Sequence, residues 1–305
     1  MHVRIAVNRY NFQWTFPEIV ADKLGLFSKR GIDVTWNQVT PKGGTDKGAM
    51  YTELLESGKT VLYHAGEWVC ILRVLADKGS WVLAKSVRAK GTLNSTFTLF
   101  VRRGAGYKSP KDLKDKPVAI EAGTGSYYTA LQDLERFLPK DSVRLVQVGE
   151  PHRRMLALLE KEVEAASLLS PWTDLARYAS LKEILTTARS NPTTAVVRRD
   201  EDPEMLGRLF QAVNEAIDRM NAKPNDFREM YFAEMEETLR EMPPEVRKAE
   251  GRLRRRLEVP RWSRWVAYTR EDFQKTYGWM VERGLAPAGR SYDEVVAGNT
   301  GRVFG

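Results

Sequence analysis

The chain has 305 residues, of which 42% are hydrophobic and 29% are charged, so its composition favours neither a disordered nor a fibrous protein. This length favours two domains over one small core. Because no apolar run is long enough to span a bilayer, we predict no transmembrane segment. The single cysteine, Cys70, excludes an internal disulfide and a thiolate metal cluster. The formal net charge of +8 would attract an acidic ligand, a nucleic acid or an anionic membrane, and charge alone does not distinguish them.

Short strands alternate with amphipathic helices from the first residues, a pattern typical of sheets covered by helices. Several of the helices end at a glycine, for example Gly31 and Gly79. The first series of predicted elements consists of strand 3–7, helix 17–30, strand 33–39, helix 45–56, strand 60–64, helix 67–78 and strand 81–87. The pattern then changes to polar and small residues at 88–96, which we interpret as a first crossing between two lobes.

A second series follows this crossing. It consists of strand 97–102, a short capped helix at 109–113, strand 117–121, helix 127–138, strand 143–148, helix 152–162, strand 165–169, helix 172–179 and strand 183–187. The turn-forming residues Ser190, Asn191 and Pro192 then interrupt the pattern before strand 194–198, which we place back in the first lobe. Helices at 203–236 and 269–283 are predicted to pack on that lobe, and 241–264 is interpreted as a charged connection.

The predicted fold class is therefore α/β with two lobes, each a mixed, mostly parallel sheet flanked by helices, and with two hinge crossings. The first lobe is discontinuous and comprises residues 1–92 and 194–305. The second lobe comprises residues 93–193.

Four segments, in order and at matching spacing, resemble a known family. They are ADKLGLFSKRGIDVTW (21–36), LLESGKTVLYHAGEW (54–68), SPKDLKDKPVAIEAGTGSYYTAL (109–131) and LLEKEVEAASLLSPW (158–172). They are similar to segments of the ABC-transporter substrate-binding proteins for sulfonates, taurine, nitrate and thiamine precursors. The resemblance covers about residues 3–200, and the helical C-terminal third matches only in general character.

The resemblance implies the periplasmic-binding-protein type II fold, a small-molecule ligand held between the lobes by hinge closure, and an ABC permease as partner. Most relatives carry an export signal, whereas this sequence starts directly on its first strand. Two compartments follow as expectations: periplasmic or extracellular if a signal was removed, and cytoplasmic if the sequence is complete. We predict a monomer.

In open α/β sheets, ligands bind beside the loops that follow the carboxyl ends of the strands. On this basis the predicted ligand-binding residues are Asn8, Tyr10, Asn11, Trp14, Thr45, His64, Glu67, Asn94, Ser95, Gly123, Thr124, Gly125, Ser126, Tyr127 and Trp172.

The residues after the first and third predicted strands also have structural interpretations. Asn8, Tyr10, Asn11 and Trp14 could stack on a ring and bond its edges, or Trp14 could cap the core. His64 and Glu67 open a helix whose positive end favours an anion, and a carboxylate there could instead cap the helix or bind a cationic group. A satisfied core histidine is the alternative for His64.

The run from Gly123 to Tyr127 lies between a predicted strand and a predicted helix. Glycines allow close backbone approach, and hydroxyls with helix-start amides can surround a sulfonate, phosphate or carboxylate. The alternative is a plain Ser or Thr N-cap. Trp172 could cover an apolar ligand face or simply follow a Pro-initiated helix start, and Asn94 and Ser95 either reach the cleft from the hinge or form a turn.

Other apparent motifs fail on inspection. Ser57–Thr60 imitates the end of a P-loop, but it runs from helix to strand, and the first glycine is replaced by Glu53. The Gly-Thr-Gly-Ser turn lacks the third glycine of a dinucleotide site. The histidines have no paired spacing, so we predict neither a metal nor a cofactor. An arginine-rich run at 252–264 is interpreted as a solvated helix face, and no nucleic-acid partner is expected.

The leading hypothesis is a solute-binding protein that clamps a small polar or anionic organic molecule, such as a sulfonate, a carboxylate or a thiamine precursor. It requires no catalytic residue. The alternatives are a cytosolic enzyme on the same fold, resembling pyrimidine synthases, desulfinases or decarboxylases, or a cytosolic ligand sensor. Cys70 falls inside a predicted helix, where it is poorly placed as a nucleophile.

Overall fold

A computed structural model describes residues 1–39, 47–76, 79–86, 97–187, 192–240, 242–256 and 259–305 of the chain. Among these residues, no helix combines the length and the apolar character needed to cross a membrane.

The strands and helices alternate along most of the chain. The strands are β1 (His2–Asn8), β2 (Asp33–Val39), β3 (Leu62–Gly66), β4 (Ser80–Ser86), β5 (Thr98–Arg102), β6 (Pro117–Ile120), β7 (Arg144–Gln147), β8 (Ala165–Leu168), β9 (Leu181–Thr186), β10 (Thr193–Arg198) and β11 (Trp265–Ala267). The α-helices are α1 (Phe16–Lys23), α2 (Lys47–Glu56), α3 (Glu67–Ala76), α4 (Gly125–Leu134), α5 (Pro151–Leu159), α6 (Trp172–Tyr178), α7 (Pro203–Ala222), α8 (Arg228–Leu239), α9 (Pro244–Arg256), α10 (Arg270–Glu282), α11 (Tyr292–Val295) and α12 (Thr300–Phe304).

Each predicted strand is present, with ends that differ by a residue or two. One predicted helix was clearly too long, and one helix was not predicted. The helix predicted at 17–30 ends at Lys23, because Gly25 adopts a left-handed φ of 66° and the chain continues into a separate 3-10 helix at Ser28–Arg30.

The predicted charged connection at 241–264 contains helix α9. This helix starts at Pro244, a residue suited to a first helical turn, and it buries Val246, Ala249 and Leu253 on one face. This apolar stripe is narrow and most other residues of α9 are charged, so the helix was not predicted from the sequence.

The first compact unit comprises Met1–Asn94, Asn191–Phe227 and Pro260–Gly305. In it, β1 pairs with β2 in parallel, and β11, β4, β10 and β3 form antiparallel pairs in that order. Helix α7 packs against α1 and α12 through an apolar face that includes Leu209, Val213 and Ile217. The ends of β1 and β3 each lead directly into a helical segment, and these two turns hold the first-unit candidate residues.

The second compact unit comprises Ser95–Ser190 and Arg228–Val259. Its strands are hydrogen-bonded in the order β7, β6, β8, β5, β9, with β6 parallel to β7 and β8, and with β5 antiparallel to β8 and β9. A core around Leu99, Val118, Ile120 and Leu134 lies between this sheet and helix α4. The sheet is mixed, as the sequence predicted. The prediction of mostly parallel sheets was wrong, because β5 forms antiparallel pairs here and the four-stranded sheet of the first unit is antiparallel.

The predicted lobe boundaries stay a prediction, and the compact units differ from them chiefly at residues 228–259. From the sequence, this segment was predicted to belong to the first lobe. In the structure its helices, α8 and α9, belong to the second unit. The physical reason is local: α9 packs along α6, and Arg252 donates a hydrogen bond of 2.7 Å to the carbonyl of Tyr178.

Candidate functional site

A tight turn in the second unit joins the carboxyl end of β6 to the start of α4. Gly123 has a φ of 65°, a left-handed conformation that glycine adopts without strain. The backbone N–H groups of Gly125 and Ser126 lie in the first turn of α4, where no intrahelical acceptor exists. The positive end of this ten-residue helix is therefore available to an anion. The turn is where the sequence placed it.

The two hydroxyls of this turn bond within the turn. Thr124 Oγ1 donates to the carbonyl of Glu121 at 2.8 Å and lies 2.9 Å from Ser126 Oγ. Ser126 Oγ accepts from the Glu121 N–H at 3.0 Å and from the Arg154 guanidinium at 2.6 Å. Ser126 is buried, Thr124 and Tyr127 are half-buried, and Gly123 is exposed. The hydroxyl of Ser126 thus fixes the shape of the turn and joins it to Arg154.

Arg154, on α5, is a buried residue that the sequence analysis missed. Its relative exposure is 1%, and burial lowers the pKa of its guanidinium to about 10, with the charges of Glu121 and Glu150 acting in the opposite direction. It therefore stays positive at neutral pH. Its Nε has no hydrogen-bond partner among the described residues.

A signal for Arg154 was present in the sequence. Pro151, Arg154, Met155 and Leu158 have the spacing of one helix face, and all four are buried. An arginine on an otherwise apolar face is unusual, since arginine is almost never fully buried without a partner. Such a residue is a candidate for a functional role.

The remaining candidates are Trp172 in the second unit and three residues that the structure does not describe. The side chain of Trp172 is fully buried, and its ring centroid lies 5.9 Å from that of His152. Its predicted contact with a ligand stays a prediction. Thr45, Asn94 and Ser95 lie outside the described residues.

In the first unit, the chain turns from β1 into a 3-10 helix at Arg9–Trp14. The side-chain oxygen of Asn8 accepts a 3.0 Å hydrogen bond from the Tyr10 N–H, so Asn8 caps this turn. Asn8 and Tyr10 are buried, whereas Asn11 and Trp14 are half-buried. Among these four candidates, Asn11 and Trp14 have the most surface to offer a ligand.

His64 and Glu18 form a buried pair behind this turn. His64 Nδ1 lies 2.9 Å from the carbonyl oxygen of Trp14, and because a carbonyl can only accept, Nδ1 carries the hydrogen. His64 Nε2 lies 3.4 Å from Glu18 Oε1, which is longer than a good hydrogen bond. The His64 ring also lies 4.6 Å from the ring of Trp265.

Burial sets the protonation of both members of the pair. It lowers the pKa of His64 to about 4 and raises the pKa of Glu18 to about 8. At neutral pH the imidazole is therefore neutral, and the Glu18 carboxyl is mostly protonated. His64 is buried and hydrogen-bonded within its own unit. Glu18 was not predicted from the sequence, because it lies in the first turn of a helix, where acidic residues are common.

Glu67, at the start of α3, is held by two hydroxyls of the same unit. Its carboxylate accepts hydrogen bonds of 2.6 Å from Tyr268 and from Thr276. Burial raises the pKa of Glu67 to about 7, although these two bonds act to lower it. The carboxyl therefore lies near the midpoint of its titration at neutral pH, and the side chain is engaged by its own unit.

Part of the chain matches a known protein family. Residues 39–242 match the family described as the periplasmic, phosphonate substrate-binding protein of an ABC transporter. A search of curated proteins found no match.

Solved structures of known proteins share the fold. The aliphatic sulphonate binding protein SsuA from Escherichia coli is 16% identical, with 97% of this chain and 91% of that chain covered and a TM-score of 0.69. The alkanesulfonate-binding protein SsuA from Xanthomonas axonopodis pv. citri, bound to MOPS, is 14% identical, with coverage of 98% and 97% and a TM-score of 0.70. The Candida albicans CA3427 gene product, described as having the generic periplasmic binding protein fold, is 14% identical, with coverage of 96% and 93% and a TM-score of 0.62.

The fold is thus that of the periplasmic binding proteins, as the sequence predicted. Because the family match extends over most of its length, the chain belongs to the ABC-transporter substrate-binding proteins of the phosphonate family. Membership implies a small-molecule ligand and a permease partner. The family match confirms the membership of the ABC-transporter substrate-binding proteins that the sequence indicated.

Proposed function

We propose that this protein binds a small organic molecule through a sulfonate, phosphonate or carboxylate group and presents it to a permease. The observation that carries the proposal is the turn from Glu121 to Ser126, where helix-start amides without an intrahelical acceptor adjoin a hydroxyl that is hydrogen-bonded to the buried guanidinium of Arg154. Oriented N–H groups and a fixed cation favour an oxyanion and need no catalytic group.

Two carboxylates accompany Arg154, and its guanidinium limits the repulsion that they would exert on an anion. Glu121 and Glu150 are both buried and act electrostatically on Arg154. The one guanidinium offsets only part of the charge of these two carboxylates, so the attraction of an anion to this turn depends on the helix-start amides. We propose that Thr124 and Tyr127, which are half-buried, are the side chains of this turn that contact the ligand.

The names of similar proteins support an oxyanion of tetrahedral shape. The family description names phosphonate, and two of the structural neighbours are named for sulfonates. A sulfonate and a phosphonate both present three oxygens to donors, which suits a cluster of N–H groups. For the first unit, Asn11 and Trp14 are proposed as ligand-binding residues, because they are the half-buried members of their group of candidates.

Calorimetric titration tests this function. Ethanesulfonate, methylphosphonate and acetate are titrated against the uncharged ethyl methyl sulfone. We expect saturable binding of at least one anion and none of the sulfone. Ser126→Ala should weaken that binding by about tenfold or more, because it removes the acceptor that joins Arg154 to the turn.

The control variant is Ser57→Ala, which removes an exposed serine hydroxyl in the first unit. It should bind as the native protein does. Binding of the sulfone as tight as that of the anions, or an unchanged affinity in Ser126→Ala, would refute the assignment of this turn.

A further inference from the structure

The second unit contains a basic pocket that is separate from the turn described above. It has a volume of about 420 Å³, and it is lined by Arg103, Arg177, Tyr178, Ser180, Arg252 and Arg255. We name it the arginine pocket. Its volume lies within the range of small-molecule sites, roughly 300–1,000 Å³.

The arginine pocket and Gly123 lie at opposite ends of the strands of this sheet. Strand β5 runs antiparallel to β8, which is parallel to β6. Arg103 follows the end of β5, so it lies on the side of the sheet where β6 begins. Gly123 lies on the opposite side, where β6 ends. The two sites are therefore separated by the length of the strands, roughly 13 Å at 3.3 Å per residue.

The positive charges of the pocket are incompletely compensated. Arg177 is paired with Asp174 at 2.6 Å and with Glu183. Arg103, Arg252 and Arg255 have no carboxylate within ion-pair distance in the part of the chain that the structure describes. The pocket thus keeps an excess of positive charge.

The arginines are held in place by the elements that carry them. Arg252 and Arg255 are three residues apart on α9 and so lie on neighbouring positions of one helix face. The Arg252 guanidinium donates a 2.7 Å hydrogen bond to the carbonyl of Tyr178, at the end of α6. Like charges at this spacing repel one another on a helix, and a bound anion would relieve that repulsion.

The backbone at the pocket wall adopts an uncommon conformation. Ser180 has a φ of 60°, in the left-handed region that a non-glycine residue rarely adopts. In this conformation its carbonyl accepts a 3.2 Å hydrogen bond from the Arg103 N–H, and β9 begins at the next residue. The strained turn brings the start of β9 and the end of β5 together at the pocket.

From this geometry we propose that the arginine pocket is a second binding site, for a phosphate-bearing small molecule. Guanidinium groups bind phosphate oxygens in a two-pronged geometry, and several of them suit a multiply charged anion. The Tyr178 ring and the Ser180 hydroxyl add a stacking surface and a hydrogen-bonding group. The site is independent of the ligand proposed for the turn at Gly123.

Titration with inorganic pyrophosphate at constant ionic strength tests the proposal. We expect a dissociation constant of about 1 mM or tighter, weakening as salt is added. The double variant Arg252→Gln/Arg255→Gln should lower the affinity by at least about tenfold. The matched control is Arg144→Gln, which removes an exposed charge on β7, at the far edge of the same sheet.

The outcomes distinguish binding in the arginine pocket from binding at the turn near Gly123, and a free phosphate compound from a lipid headgroup. Loss of binding in the double variant, with native affinity in Arg144→Gln, supports the proposal. Absence of saturable binding both to pyrophosphate and to phosphatidic acid vesicles, equal weakening in the control, or loss only in Ser126→Ala would overturn it. A second arm uses vesicles containing phosphatidic acid: binding to vesicles but not to pyrophosphate, again dependent on Arg252 and Arg255, would identify a lipid headgroup as the source of the phosphate.

Discussion

Arg154→Met is expected to lower both the stability of the protein and its affinity for the anionic ligand. The guanidinium is buried, donates to Ser126 and offsets the charges of Glu121 and Glu150. Removing one member of a buried charged group costs about 3 kcal/mol, because the remaining charges stay desolvated. Urea unfolding at neutral pH measures this loss.

The affinity should fall by about thirtyfold or more, which corresponds to about 2 kcal/mol for a buried charge near an anion. Arg153→Met is the matched control, since Arg153 is the exposed neighbour on the same helix. Its stability should stay within about 0.5 kcal/mol of the native value. If Arg154→Met kept native affinity for the anion, Arg154 would have no part in binding.

The second large effect concerns Glu18, whose pKa is raised to about 8 by burial. The folded protein keeps this proton at pH values where the unfolded chain, with an ordinary pKa near 4.5, has lost it. The folded state then binds more protons than the unfolded state, so the free energy of unfolding falls as the pH rises towards 8. Between pH 6.5 and 8 this contribution is about 2 kcal/mol.

Glu18→Gln should remove that part of the alkaline loss of stability. The amide has the shape of the protonated carboxyl and can donate to Nε2 of His64. Residual dependence is expected from Glu67, whose pKa is raised to about 7 by burial and which has the same sign of effect. Denaturant unfolding across this pH range, with the exposed Glu53→Gln as control, measures the difference.

His64 contributes the opposite dependence on the acid side. Its pKa is lowered to about 4 by burial, so the unfolded chain binds a proton first as the pH falls below 6.5. The contribution of His64 to the free energy of unfolding should therefore decrease from pH 6.5 towards pH 4, and it opposes the increase that Glu18 and Glu67 give as the pH falls over the same range. Identical pH profiles of native protein and Glu18→Gln would contradict the protonation assigned to the pair.

Much of the fold followed from local sequence signals. The alternation of apolar residues placed β1, β2 and β10 within a residue or two, and the glycine-rich segment at Gly123 correctly marked a strand-to-helix turn. These features depend on short-range periodicity and on backbone conformations that only certain residues favour. They are readable without knowledge of tertiary contacts.

The residues that the sequence did not reveal depend on contacts between distant segments. Ser126 and Arg154 are 28 residues apart, and Glu18 meets His64 across a longer interval, so neither pair has a local pattern. Helix α9 was missed because its apolar stripe is narrow and its composition is dominated by charge. Its packing on α6 within the second unit is likewise a tertiary property.

Backbone amide chemical shifts provide the most direct measurement of anion binding at the turn. The tightest-binding anion of the titration series is added to the ¹⁵N-labelled protein, and the N–H resonances of Gly123, Gly125 and Ser126 are followed. We predict saturable shifts at these amides with the dissociation constant found by calorimetry. Saturable binding in which these three resonances stay unmoved, while amides elsewhere respond, would contradict the proposed role of the turn.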